Sequence, residues 1–114
     1  MRSQLIDHEH LSEFAGRFSR AHEGWTASLE VREPGSPIHV EVDERPFRGI
    51  TIEHSPGHED LVFAFGDESN EFAHVMHDPR WVVTAENMVH DGASIVVDSS
   101  DRGRCVLAVW KPEE

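Results

Sequence analysis

The spacing of apolar residues changes once along this chain, at Gly24. Before it, Leu11, Phe14, Ala15 and Phe18 recur at intervals of three and four, which predicts an amphipathic helix over about residues 7–22. Asp7 is placed to cap its start, Glu9 suits the first turn, and Gly24 supplies a left-handed exit. After Gly24 the period falls to two. Trp25, Ala27, Leu29 and Val31 alternate with polar neighbours, as a half-buried strand does. The same reading predicts strands at about 25–32, 38–44, 48–54, 60–65, 71–77, 80–88, 93–98 and 104–110. Pro34-Gly35, Pro56-Gly57, Gly66 to Asn70, Asp78-Pro79, Asp91-Gly92 and Asp101 to Gly103 punctuate them, and Arg45-Pro46 is expected to break the second strand from the third. Leu61 to Phe65 is apolar on both faces, which predicts a central strand covered on both sides, the helix lying over one of them.

One helix followed by about eight short strands, with no segment long enough for a parallel crossover, implies antiparallel pairing. The expected fold class is α+β, mainly β: the helix packed on a strongly curved antiparallel meander, a barrel or half-barrel that hides its edges. Residues 1–114 make one domain, long enough to bury roughly two-thirds of the unfolded chain's surface.

Charge narrows the partners. A formal net charge of -12 over 114 residues repels phosphate backbones and anionic membranes, so neither nucleic acid nor a membrane is an expected partner. No apolar run approaches the ~20 residues of a membrane-spanning helix, and charge interrupts the first ten residues before a signal-peptide core forms; a cytoplasmic location is the expectation. The lone Cys105, inside the apolar run to Trp110, reads as a small buried hydrophobe.

No catalytic constellation emerges. There is no nucleophile elbow, phosphate loop, zinc-type His-Glu-x-x-His or calcium-loop spacing, so no catalytic residue and no cofactor is assigned, and the carboxylates at 67–71 and 98–101 read as turns. The candidates are histidines and tryptophans. His74 and His77 would share a face on a helix but part on a strand, where an odd offset inverts the side. His54 and His58 straddle the Pro56-Gly57 turn and complete the candidate metal ligands. His22 is the helical histidine nearest the buried stripe, His8 and His10 being solvated. Trp25, Trp81 and Trp110 lie at strand ends, where a ring suits either rim packing or a binding surface.

Phe14-x-x-x-Phe18-Ser19-Arg20-x-His22-x-Gly24-Trp25, leading into Leu29-Glu30-Val31, then Pro46-x-x-Gly49-Ile50 and His74-x-x-His77-x-Pro79-x-x-Val82, resembles a family of small bacterial proteins classed only as a domain of unknown function. The resemblance implies a stand-alone bacterial protein of about this length and brings no activity or cofactor. It singles out His22, Trp25, His74, Pro79 and Trp81 as a group.

The leading expectation is a non-enzymatic binding or interaction module, a homodimer whose partner surface includes part of the sheet and one or more tryptophans. The alternatives are a small-ligand pocket protein or enzyme using His22, His74 or His77 near a barrel mouth, and a metal-binding protein.

Overall fold

A computed structural model describes residues 2–87, 92–99 and 103–112. In chain order they form β1 (Arg2–Ile6), a 3-10 turn (His8–His10), α1 (Leu11–His22), β2 (Thr26–Arg32), β3 (His39–Ser55), β4 (His58–Asp67), β5 (Asn70–His77), β6 (Pro79–Asn87), β7 (Gly92–Ser99) and β8 (Gly103–Trp110). The strands pair antiparallel throughout, in the order β1-β6-β7-β8-β2-β3-β4-β5. The fold is mainly β with one short helix, as the change of period predicts. The sheet does not close, and β1 and β5 are its edges. The expected turn residues Asp91, Asp101 and Arg102, and the expected strand end at Met88, lie outside the described residues.

Several expectations are corrected. Periodicity does not predict β1, which adds an edge by pairing Arg2–Ile6 with Glu86–Val82 of β6. The helix begins at Leu11 after a 3-10 turn, and Asp7 makes no side-chain capping bond. The strands expected at 38–44 and 48–54 are one strand. Its first half pairs with β2 and its second half with β4, and the change of partner occurs between Pro46 and Phe47. Phe47, next in line, points both backbone polar atoms at the start of β2: its N–H donates to the Trp25 carbonyl (2.7 Å) and its carbonyl accepts from Gly24 (2.8 Å). Backbone groups alternate sides along a strand, so the missing N–H of Pro46 falls on the side without a partner.

Nor is the whole sheet one meander. Asp78 alone links β5 to β6, yet these strands are not neighbours in the sheet. Asp78 takes a positive φ of 45, and Ser99 Oγ donates to the His77 carbonyl, so the chain turns a corner from the β3-β4-β5 layer into the other layer instead of folding back as a hairpin. Two meanders, β2 to β5 and β6 to β8, are joined by the long-range β2·β8 ladder.

The core lies between the layers and under α1. Leu29, Val42, Phe47, Leu61, Phe63, Phe65, Met76, Ile95 and Leu107 are all buried, and Leu11, Phe14, Ala15 and Phe18 close it from the helix. Phe18 meets the Phe47 ring edge-on at 5.7 Å. α1 also covers an edge. Ile50 on the second half of β3 turns its backbone N–H away from β4, and Ser19 Oγ accepts it at 2.8 Å. Gly49 permits this approach: a Cβ there would stand 3.1 Å from Ser19 Oγ. Contrary to expectation, β4 is not covered on both sides. Its Leu61, Phe63 and Phe65 are buried, whereas Val62 and Ala64 face outward, half-buried. The strand apolar on both faces that lies well inside the sheet is β8.

Candidate functional site

The ladders place the same kind of residue on the outer face of strand after strand. Leu5 pairs with Val83, Val83 with Val96, Val96 with Val106, Val106 with Glu30 and Glu30 with Val40. Beside this row runs a second of small residues, Ser3, Ala85, Ser94, Ala108 and Ser28. Their sequence neighbours, among them Val82, Ile95, Val97, Leu107 and Leu29, point into the core. The outward valines of β6 to β8 are half-buried by one another, while Leu5 (61 % exposed) and Val40 (52 %) stand free at the two ends of the row. An antiparallel sheet with one wet face normally alternates apolar and polar residues. Across β1, β6, β7 and β8 the two rows carry no charge, on a chain of net charge -12.

Tryptophans border this face on two sides. Trp110 pairs with Thr26 and Gly92 at one margin, and Trp81 lies level with Asp98 and Arg104 at the other. Asp98 is buried and held by two arginines: Arg80 Nε donates to Oδ2 at 2.6 Å and Arg104 Nε to Oδ1 at 3.2 Å. The Arg104 guanidinium lies 5.0 Å from the Trp81 ring centroid. This fixes Trp81 as a rigid, half-exposed border. The expectation of a turn at 98–101 therefore fails at its first two positions: Asp98 and Ser99 are buried in β7. The Asp98 carboxylate pairs with an arginine across the ladder, a partnership that spacing along the chain does not display.

The histidine candidates do not meet at one point. His22 Nδ1 bonds the Phe18 carbonyl at 2.8 Å, and its ring stands edge-on to Trp25 at 4.7 Å; these two meet where the helix leaves for β2. His74 lies between Phe72 and Met76 on the core side of β5, opposite Phe63. His77 lies on the other side, Nδ1 3.0 Å from Asp60 Oδ1. His54 Nδ1 is 3.1 Å from Glu59 Oε2, and His58 Nε2 is 4.0 Å from Asp60 Oδ2. His8, read from sequence as solvated, is exposed yet engaged, with Nε2 2.9 Å from the Pro79 carbonyl and Nδ1 3.3 Å from Glu59 Oε1. A corner rich in imidazole and carboxylate thus forms around Glu59 and Asp60. Its nitrogens face different carboxylate oxygens. Among the described residues, the group that brings three ligand atoms within 4.8 Å of one another is Asp7, Glu9 and His10, all exposed.

Two clefts touch candidate residues. One, of about 250 Å³, lies between α1 and β1-β6-β7, with Phe14, Phe18, His22 and Thr84 among its walls. The other, of about 280 Å³, opens at the β2-β3 hairpin beside His39, Glu41 and His74. Both fall below the ~300–1,000 Å³ of typical ligand pockets. Cys105 is buried, and that burial pushes its thiol up to about 12.

No family model, curated protein or solved structure matches the chain. No helix among the described residues is long and apolar enough to cross a membrane. The five positions that the family resemblance groups together are dispersed: His22 and Trp25 at the helix exit, His74 on the core side of β5, Pro79 bonded to His8, and Trp81 under Arg104.

Proposed function

We propose that this protein is a non-enzymatic interaction module that pairs with a second copy of itself through the outer face of β1, β6, β7 and β8. The uncharged double row between Trp81 and Trp110 carries the reading. Four strands, β1, β6, β7 and β8, at ~4.8 Å spacing and two residue rows at ~6.8 Å give the uncharged patch a footprint of about 260 Å². That approaches the few hundred Å² beyond which a monomer rarely leaves a continuous apolar patch to water, before the bordering tryptophans are added. The face is self-complementary for a two-fold pairing, because small and β-branched residues let two sheets approach to ~10 Å. Charge outside the patch opposes association, so contact between the faces has to be apolar.

Light scattering on a size-exclusion column tests this. The expected mass is twice the 12.9 kDa of one chain. Val106→Glu, in the middle of the row, should give monomer, whereas Val62→Glu, on the outer face of β4, should leave the dimer. Added salt should strengthen pairing, because it screens the repulsion between two acidic chains. A wild-type monomer at every attainable concentration would defeat the proposal, as would a dimer indifferent to Val106→Glu.

A further inference from the structure

The two rows of the outer face differ in bulk, and they differ in the same sense on every strand. Leu5, Val83, Val96 and Val106 form a bulky row, and two residues along the same strands Ser3, Ala85, Ser94 and Ala108 form a small one. The margins differ too. Beyond the bulky row Trp81, Asp98 and Arg104 lie level, and beyond the small row Gly92 lies level with Trp110. The first margin is basic on an acidic chain, because Arg80 and Arg104 share the one carboxylate of Asp98. We propose that the second copy docks with its strands reversed, so that each bulky row rests on the partner's small row and the partner's Trp110 closes over Arg104. This orientation rests on the self-pairing proposed above.

Two sheets stacked face to face about a two-fold axis in the plane between them have two choices. An axis parallel to the strands sets each row against its own copy. The bulky residues then hold the sheets apart, serine and alanine face one another across a gap, and the two basic margins meet. An axis across the strands sets each row against the opposite one. Val106 then faces the partner's Ala108, Val96 the partner's Ser94 and Val83 the partner's Ala85, which fills the ~10 Å between sheets evenly. The outer margins fall together in the same way. Arg104 already lies 5.0 Å from the Trp81 ring centroid and remains 56 % exposed, and the partner's Trp110 supplies a second indole for the guanidinium. Packed sheets cross at up to ~30°, which displaces row ends ~10 Å from the axis by ~5 Å, about one strand spacing, and both side chains are long enough to cover it.

Within one chain Arg104 and Trp110 stand ~20 Å apart along β8, at ~3.4 Å per residue, so they can touch only between copies. The test is a double-mutant cycle on the dimer dissociation constant, measured by light scattering over a dilution series. Trp110→Leu should weaken the dimer by about 5- to 30-fold, two exposed cation–π contacts per dimer setting the scale. Arg104→Lys, which keeps a charge beside Asp98 but not the flat cation, should weaken it over the same range. The double variant should be no weaker than Trp110→Leu alone. An NOE between the Trp110 ring and the Arg104 side chain, in a dimer mixed from isotope-labelled and unlabelled chains, reads the same contact without any substitution. Losses that multiply, or no such NOE in a dimer that Val106→Glu dissociates, would overturn the orientation and leave the self-pairing standing. A wild type that is monomeric at every attainable concentration would overturn both.

Discussion

Leu107 and Val106 are adjacent on β8 and chemically alike, yet they meet different surroundings. Leu107 is wholly buried between Leu29 and Ile95, whereas Val106 lies half-buried on a face that no element among the described residues covers. Burial is thus decided by what lies over each side of the sheet and not by the hydrophobicity of the strand. The inner side has α1 and the β3-β4-β5 layer. The outer side has solvent, or a partner.

The widest separation between the faces should appear in stability. Leu107→Ala removes buried methyl groups and leaves a cavity among residues already packed on every side, which costs about 2–5 kcal/mol. Val106→Thr keeps the shape and the β-branch while making the outer face more polar, and should change monomer stability by under about 1 kcal/mol. Urea denaturation at a concentration where the chain is monomeric measures both. Comparable losses would mean that the outer face is packed as tightly as the inner one.

A smaller effect distinguishes a covered edge from a covered face. Ser19→Ala removes the oxygen that accepts the Ile50 N–H, leaving a part-buried donor unsatisfied on the edge that α1 protects. The expected cost is about 1 kcal/mol. Ile50 amide exchange should accelerate while the amides of β4 opposite it, bonded within the ladder, change little. Uniform acceleration over the layer would show that the helix steadies the sheet by packing alone.

Sequence periodicity located most of these elements because alternation is local: Thr26–Arg32 and Gly92–Ser99 each contain the pattern that buries one of their faces. What escaped it depends on pairing across the chain. β1 has apolar residues only at Leu5 and Ile6, and its strand character comes from hydrogen bonds to β6, some eighty residues away. Pro46 reads as a break because a proline removes a donor, but only the three-dimensional ladder shows that no acceptor awaits it there. Asp98 reads as part of a turn because its partners, Arg80 and Arg104, are joined to it by register. The apolar outer rows were equally hidden. Each strand contributes two or three unremarkable residues, and the surface exists only once Val83, Val96 and Val106 are aligned.

The finest contrast between the faces lies in thiol chemistry, with almost no effect on the fold. Cys105 points into the core, and burial favours its neutral form, raising the thiol from 9.0 to about 12. It should therefore resist thiol reagents in the folded chain near neutral pH, reacting only through opening. Val106→Cys places a second thiol one residue along on the outer face. That thiol should react within the ordinary time of an accessible cysteine, one equivalent per chain, and more slowly as the concentration rises and two faces cover each other. The pH dependence has a definite sign. A raised folded value means that the unfolded chain gives up its proton first, so the contribution of Cys105 to stability is complete below pH 9.0 and is lost as pH climbs from there toward about 12. Cys105→Ala should remove that alkaline loss. Rapid labelling of wild-type Cys105 near neutral pH would mean that the inner face is open, and with it the distinction between the two sides of β8 would disappear.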